Sequence, residues 1–243
     1  MRDYEKEFTD RVAFIRQLLA ESGAAGIVYG NSGGKDSALV GILCKAACEN
    51  TVGLLLPCTS KRNYAEDRAD AETVAAQYRI ETRTVDLTPV KAAALAALDG
   101  VTTPNAPALA NLAPRLRMLT LYAVAASENR LVAGTGNRSE AYMGYFTKWG
   151  DGAYDFNPIA DLTVTEIYEF LTWLHAPENI IRKAPSAGLF EGQTDEQEMG
   201  VTYAAIDKYI LTGEASEHDK AIIDRYHSRS EHKRRPAATY HAE

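Results

Sequence analysis

The stretch AGIVYGNSGGKDSALVG, residues 25–41, decides the fold. Its first six residues are a short apolar run of the kind that forms a buried strand, and residues 37–49 read as a helix. Between them Gly33 and Gly34 let main-chain N–H groups turn inward as a nest beside a helix N-terminus. A strand that empties into such a loop is suited to holding an anion. The loop is not GxxxxGK[ST], because Gly34-Lys35 is followed by Asp36, and it is not GxGxxG, because Asn31-Ser32 follow Gly30. What remains is strand, SGGxDS, helix. Ser32 and Ser37 add hydroxyl donors, but Asp36 puts a carboxylate where an anion should sit. Two readings are open. Asp36 caps the helix over 37–49, or it holds a Mg2+ that bridges it to phosphates and turns the repulsion into attraction.

The same pattern continues outward. VGLLLPC (52–58), IETRTVDL (80–87) and RLVAG (130–134) read as further strands, with helices over 64–78, 89–98 and 111–128 between them. Before the first strand, Phe8, Val12, Ile15 and Leu19 recur at helical spacing, so residues 4–21 form an amphipathic helix. Thr88-Pro89 reads as a cap followed by proline at the first helical position. Apolar strands separated by helices define an α/β fold: a doubly wound, mainly parallel sheet with helices on both faces. Right-handed crossovers place the loops after the strands along one edge, the usual ligand crevice, and Thr135 ends the fourth strand there.

Residues 135–162 are rich in glycine, aromatics and charge with little periodicity, and a loop of that length in a compact domain is functional. Thr163 and Glu166 have capping-box spacing for a helix over 164–175. Thr194 opens another, a last helix fits 216–230, and the tail SEHKRRP is basic.

The bulk numbers exclude several classes. A chain of 243 residues with 46% apolar and 24% charged residues is an ordinary globular protein. Lys+Arg 26 against Asp+Glu 33 gives −7, which argues against a general nucleic-acid or membrane surface. The charged N-terminus has no signal-peptide core. Cys44, Cys48 and Cys58 have no CxxC spacing and read as small core residues in a reducing, cytoplasmic setting.

The SGGxDS loop resembles the PP-loop of ATP pyrophosphatases, which adenylate an acceptor and release pyrophosphate. The second half indicates the acceptor. NLAPRLRM (111–118), GTGNRSEAYMGYFTKWGDGAYDFNPIADLT (134–163), KAPSAGLFEGQTDEQEMG (183–200) and EHKRRP (231–236) are similar, in the same order, to NAD synthetases. The resemblance is to the short form: a single domain over 1–243 without a glutaminase domain, using free ammonia. It implies that the nicotinate carboxylate of deamido-NAD attacks the α-phosphate of ATP, and that ammonia then displaces AMP from the acyl-adenylate.

On that resemblance Gly30, Asn31, Ser32, Gly33, Gly34, Lys35, Asp36, Ser37, Thr135 and Ser186 bind ATP, and Asp36 and Glu140 hold Mg2+. Arg115, Tyr145, Lys148, Asp151, Asp155, Asp195, Glu198, His232 and Lys233 bind deamido-NAD. Asp36, Glu140 and Lys148 carry the catalysis, and the dinucleotide lies at a homodimer interface. Without the resemblance, Glu140 reads as a loop glutamate, Arg115 and Arg117 as exposed helix arginines, and Asp195 and Glu198 as favourable first-turn charges. Two positions depart from the family. Val164 stands where a lysine meets the phosphates, which leaves that role to Lys35 or Lys183. Leu55 stands where some members place an arginine against adenine, leaving apolar contacts with Lys61 or Arg62. Competing readings are another PP-loop amidating or thiolating enzyme, or a non-catalytic nucleotide sensor. The missing CxxC and the acidic balance count against tRNA thiolation.

Overall fold

The computed structural model describes residues 2–58, 64–183 and 194–240. Four parallel strands, β1 (Gly26–Gly30), β2 (Thr51–Leu55), β3 (Glu81–Thr84) and β4 (Arg130–Ala133), lie in the order β3-β2-β1-β4. β1 is flanked by β2 (Ile27↔Thr51) and β4 (Ile27↔Leu131). The chain leaves β1 towards one side of the sheet and later returns on the other. This switch point puts the glycine loop in the crevice beyond the strand ends.

Side chains alternate along a strand, so β1 feeds two cores. Ile27 and Tyr29 pack with α1 (Tyr4–Ser22), α2 (Lys35–Ala47) and α7 (Val164–Trp173). Val28, Val52, Leu54 and Val132 pack on the opposite face against α5 (Ala106–Glu128). The expected doubly wound α/β arrangement is therefore present. Tyr29 is fully buried, and the backbone opposite must make room for it. A Cβ on Gly41 would lie 2.3 Å from the Tyr29 hydroxyl.

Boundaries shift where caps override periodicity. α2 begins at Lys35 with Gly34 as N-cap and no side-chain cap bond, so Asp36 lies in the first turn and is not the cap. α3 (Tyr64–Tyr78) matches its expected span, whereas α4 (Thr88–Ala96) is preceded by Leu87 as N-cap, with Thr88 already helical. α5 starts earlier than expected because the Asn105 side chain accepts from Ala108 N; Pro107 fits its first turn and Pro114 lies within it.

The segment expected to be irregular contains α6 (Arg138–Met143), set by a reciprocal capping box between Asn137 and Glu140. At six residues it is too short for periodicity to reveal. α7 opens on the expected Thr163–Glu166 capping box. α8 (Glu178–Arg182), α9 (Asp195–Met199), α10 (Tyr203–Thr212), α11 (Glu217–Arg229) and α12 (Glu231–Arg234) follow. α6, α9, α10 and α11 share a third cluster around Met143, Met199, Tyr203 and Ile223. Among the described residues no helix is long and apolar enough to cross a membrane.

Candidate active site

The strand ends, the glycine loop and the third cluster enclose a cleft of about 1040 Å³. The glycine loop turns at Gly33, whose φ is 75° and whose Cβ, if present, would lie 2.1 Å from the Asp67 carbonyl oxygen. Both the left-handed backbone and the contact demand glycine. Ser32 Oγ lies 3.2 Å from Ser37 Oγ, and Ser37 Oγ donates to Gly34 O at 3.0 Å. The start of α2 leaves its first N–H groups without intrahelical acceptors, with the positive end of the helix dipole behind them.

Asp36, in the first turn of α2, and Glu140, in α6, are joined by one residue, Asn137. Its side chain donates to Asp36 Oδ1 at 3.0 Å, its main-chain N–H donates to Glu140 Oε2 at 3.0 Å, and its Oδ1 accepts from Glu140 N at 2.9 Å. Asn137 is fully buried. Sequence reading passed over it, although an N-cap asparagine three residues before a glutamate is a legible pattern. Burial, then repulsion from Asp36, raises the Glu140 pKa well above the usual carboxylate range.

Lys35 is buried in the same place. Its Nζ donates to Asp36 Oδ2 at 2.7 Å and lies 5.9 Å and 5.8 Å from the ring centroids of Tyr168 and Tyr203. Burial alone would lower its pKa, but the charges of Asp36 and Glu140 outweigh that and hold it above the ordinary value. The other candidate for the phosphate role, Lys183, also lines the cleft, and its Nζ donates to Asp67 at 2.7 Å and to Asp70 at 2.6 Å. Val164 is a core residue at 3% exposure, packed with Met143 and Tyr203.

Two carboxylates held by a shared asparagine form a hard oxygen donor pair that suits Mg2+. Among the described residues no group of three or more His, Cys, Asp or Glu side chains could hold a metal. A Mg2+ here would complete its shell with phosphate oxygens and water, as this ion usually does.

The remaining expected residues divide. Gly30, Asn31, Ser32, Gly34, Ser37, Thr135, Tyr145, Asp151, Asp195, Glu198 and Lys233 line the cleft. Tyr145 Oη donates to Glu198 at 2.6 Å and Tyr203 Oη donates to Asp195 at 3.1 Å, so both acids do more than favour the first turn of α9. Asp151 Oδ1 accepts from Thr147 N at 3.0 Å. Lys233 Nζ donates to the carbonyls of Gly144 at 2.8 Å and Phe146 at 2.6 Å, beyond the C-terminal end of α6.

Arg115, Lys148, Asp155 and His232 are not among the cleft residues. Arg115 donates to Lys148 O at 3.4 Å, Lys148 Nζ donates to His232 O at 2.7 Å, and Asp155 accepts from Val132 N at 2.7 Å. Arg115 on α5, Asp155 and, on α12, His232 are exposed, and Lys148 is half-buried. Ser186, Lys61 and Arg62 lie outside the described residues. Arg117 reverses its expectation. It is half-buried in the cleft wall rather than exposed.

A parallel sheet whose first strand opens through SGGxDS into a helix, beside a paired-acid site, defines an α/β nucleotide-binding protein of the PP-loop ATP pyrophosphatase class. Comparison narrows this further. Residues 7–238 match the NAD synthase family, and the chain belongs to it. It is 47% identical to an NH(3)-dependent NAD(+) synthetase of Carboxydothermus hydrogenoformans, with 96% of each chain covered. Among solved structures it superposes on NMN synthetase from Francisella tularensis with TM-score 0.93, 38% identity and 99% of each chain covered. It also superposes on NH3-dependent NAD synthetase from Campylobacter jejuni with TM-score 0.80, 30% identity, and 99% of this chain and 100% of that one covered.

Proposed function

We infer that this protein is a carbon–nitrogen ligase that makes NAD from deamido-NAD, ammonia and ATP, releasing AMP and pyrophosphate. The observation that carries this reading is the Asp36–Asn137–Glu140 linkage beside the glycine loop in one cleft. A nicotinate oxygen attacks the α-phosphorus as the bond to pyrophosphate breaks. Ammonia then forms the amide bond, AMP departs with the electron pair of the broken acyl–oxygen bond, and the nitrogen gives up a proton. Both reactants in the first step are anions, so positioning and charge neutralisation dominate the barrier.

The chain's own groups supply these. The glycine loop and the start of α2 present N–H donors to the triphosphate, and Lys35 supplies a buried positive charge. Asn137 fixes the directions of both carboxylates. When bound there, Mg2+ would neutralise phosphate charge and favour pyrophosphate as leaving group. Tyr145, with its hydroxyl held by Glu198, gives the substrate ring a flat surface on which to stack.

The positions of Arg115, Lys148, Asp155 and His232 outside the cleft lining support a homodimer in which they reach the partner's site. The names of the ammonia-dependent relatives support free ammonia as nitrogen donor, and we read the chain as a single cytoplasmic domain. One observation favours a second reading. The Francisella neighbour, with TM-score 0.93, is titled an NMN synthetase, which makes nicotinate mononucleotide a candidate acid.

The test offers ATP, Mg2+ and ammonium with either nicotinate dinucleotide or nicotinate mononucleotide, and compares kcat/KM. NAD, AMP and pyrophosphate in equal amounts are expected from the dinucleotide. A higher kcat/KM with the mononucleotide selects the second reading, and ADP with phosphate overturns the adenylation chemistry. Asp36→Asn should abolish turnover while the fold is retained; wild-type rates would remove Asp36 from the metal site.

A further inference from the structure

The RLRM segment of α5 carries two arginines, and the fold sends them in different directions. Arg115 is exposed, whereas Arg117 reaches the cleft, where its Nε donates to the Leu56 carbonyl oxygen at 3.1 Å. That bond holds the guanidinium against the edge of the sheet and leaves its terminal nitrogens as further donors. No carboxylate forms an ion pair with Arg117 among the described residues: nearby Asp67 is taken by Lys183 at 2.7 Å, and Asp151 accepts from Thr147 N. Burial lowers the Arg117 pKa, with Cys58, Asp151 and Asp67 opposing only through space. A partly desolvated guanidinium without a counter-ion is costly, and such groups concentrate where a ligand completes the site.

The position of Arg117 indicates which part of a ligand it meets. Gly30 pairs with Leu54, and Leu56 lies two residues on, just past the end of β2. Strand rise and spacing put Leu56 roughly 8 Å from the start of the glycine loop. There Leu55, Leu56 and Pro57 at the end of β2 and Met118 and Leu121 of α5 line an apolar slot, while Lys233 is bonded to the carbonyls of Gly144 and Phe146. That slot offers the base of a triphosphate seated in the loop an apolar surface within reach of the phosphates. Arginine, planar and weakly hydrated, stacks well on such a ring.

We propose that Arg117 binds the adenine of ATP, stacking on the ring the guanidinium that its bond to Leu56 holds in the cleft wall. The proposal rests on ATP being the co-substrate. Arg117→Met keeps the apolar stem but removes charge and plane, and Arg117→Lys keeps the charge but removes the plane. In both, the KM for ATP and the inhibition constant of adenosine should rise about ten-fold, the scale of one desolvated stacking contact. The KM for the nicotinate substrate and inhibition by tripolyphosphate should stay within two-fold of wild type.

Unchanged adenosine inhibition overturns the proposal. So does a parallel loss of tripolyphosphate inhibition, which would make Arg117 a phosphate receptor. If Arg117→Met does not fold, Arg117→Lys decides by the same criteria. Should the wild type fail to convert ATP to AMP and pyrophosphate, the co-substrate reading fails. Calorimetric binding of adenosine to wild type and variants then still decides the role of Arg117.

Discussion

Lys35→Met removes the charge most tightly enclosed by the site while leaving much of the side-chain volume. The ammonium lies 2.7 Å from Asp36 Oδ2, with 6% of the lysine side chain and 17% of the aspartate side chain exposed. Two unit charges about 4 Å apart attract by about 4 kcal/mol at an effective dielectric of about 20. Breaking a buried pair from one side costs about 3–5 kcal/mol, because the other charge is left uncompensated. Asp36 keeps its bond from Asn137, so the lower end, about 3 kcal/mol, is expected. In a chain of this size that lowers Tm by roughly 6–12 °C.

The assay is urea unfolding in the presence of a chelator, reading the midpoint at constant slope. A double-mutant cycle with Asp36→Asn should return a coupling of about 2 kcal/mol, within the range for contacting residues. A loss below about 1 kcal/mol, the level of a surface pair, would refute Lys35 as the counter-ion of the carboxylates. Turnover gives a second reading of the same residue. Lys35→Met should raise the KM for ATP far more than that for the nicotinate substrate, and equal small effects would end its phosphate role.

Gly41→Ala places a methyl 2.3 Å from the Tyr29 hydroxyl and 2.7 Å from its ring carbon. Overpacking of about 1–3 kcal/mol should appear in chemical unfolding and be partly relieved by Tyr29→Phe. Acid should loosen the N-terminal helix. Burial would raise the pKa values of Glu166 and Asp161, but bonds from Arg2 and Arg11 respectively outweigh it and lower both. Their contribution is therefore full above the unfolded carboxylate pKa of about 4 and is lost as pH falls below it. Stability measured from pH 6 to pH 3 should decline less steeply in Arg2→Ala, and parallel curves would remove the pairing as cause. Lys183→Ala frees Asp67 and Asp70, and for such part-exposed pairs the loss should be about 1 kcal/mol or less in the same unfolding assay.

The sequence by itself determined what is local. A strand of about five residues, a glycine turn and a helix are contiguous, and each is written in neighbouring residues: apolar run, flexible backbone, helical period. The succession of strands and helices fixed the parallel sheet and the edge at which the glycine loop opens. Capping boxes at Thr163 and Thr194 were legible because both partners lie within four residues. α6 obeys the same rule but hides in a segment whose glycines and aromatics mask any period.

Only the tertiary structure decided which side chains meet. Arg115 and Arg117 are two positions apart, and at about 100° per helical residue they point to opposite sides; which side faces the cleft depends on how α5 lies against β1 and β4. Asp36 left two readings open, cap or metal ligand, and its bond to Asn137, 101 positions away, is invisible to local reading. The different partners of Lys35 and Lys183 were equally hidden: Lys183 is bonded to Asp67 and Asp70, acids of another helix, whereas Lys35 is bonded to Asp36. Short-range pattern specifies backbone conformation, but charge pairing and burial act between segments that adjoin only after the chain has packed.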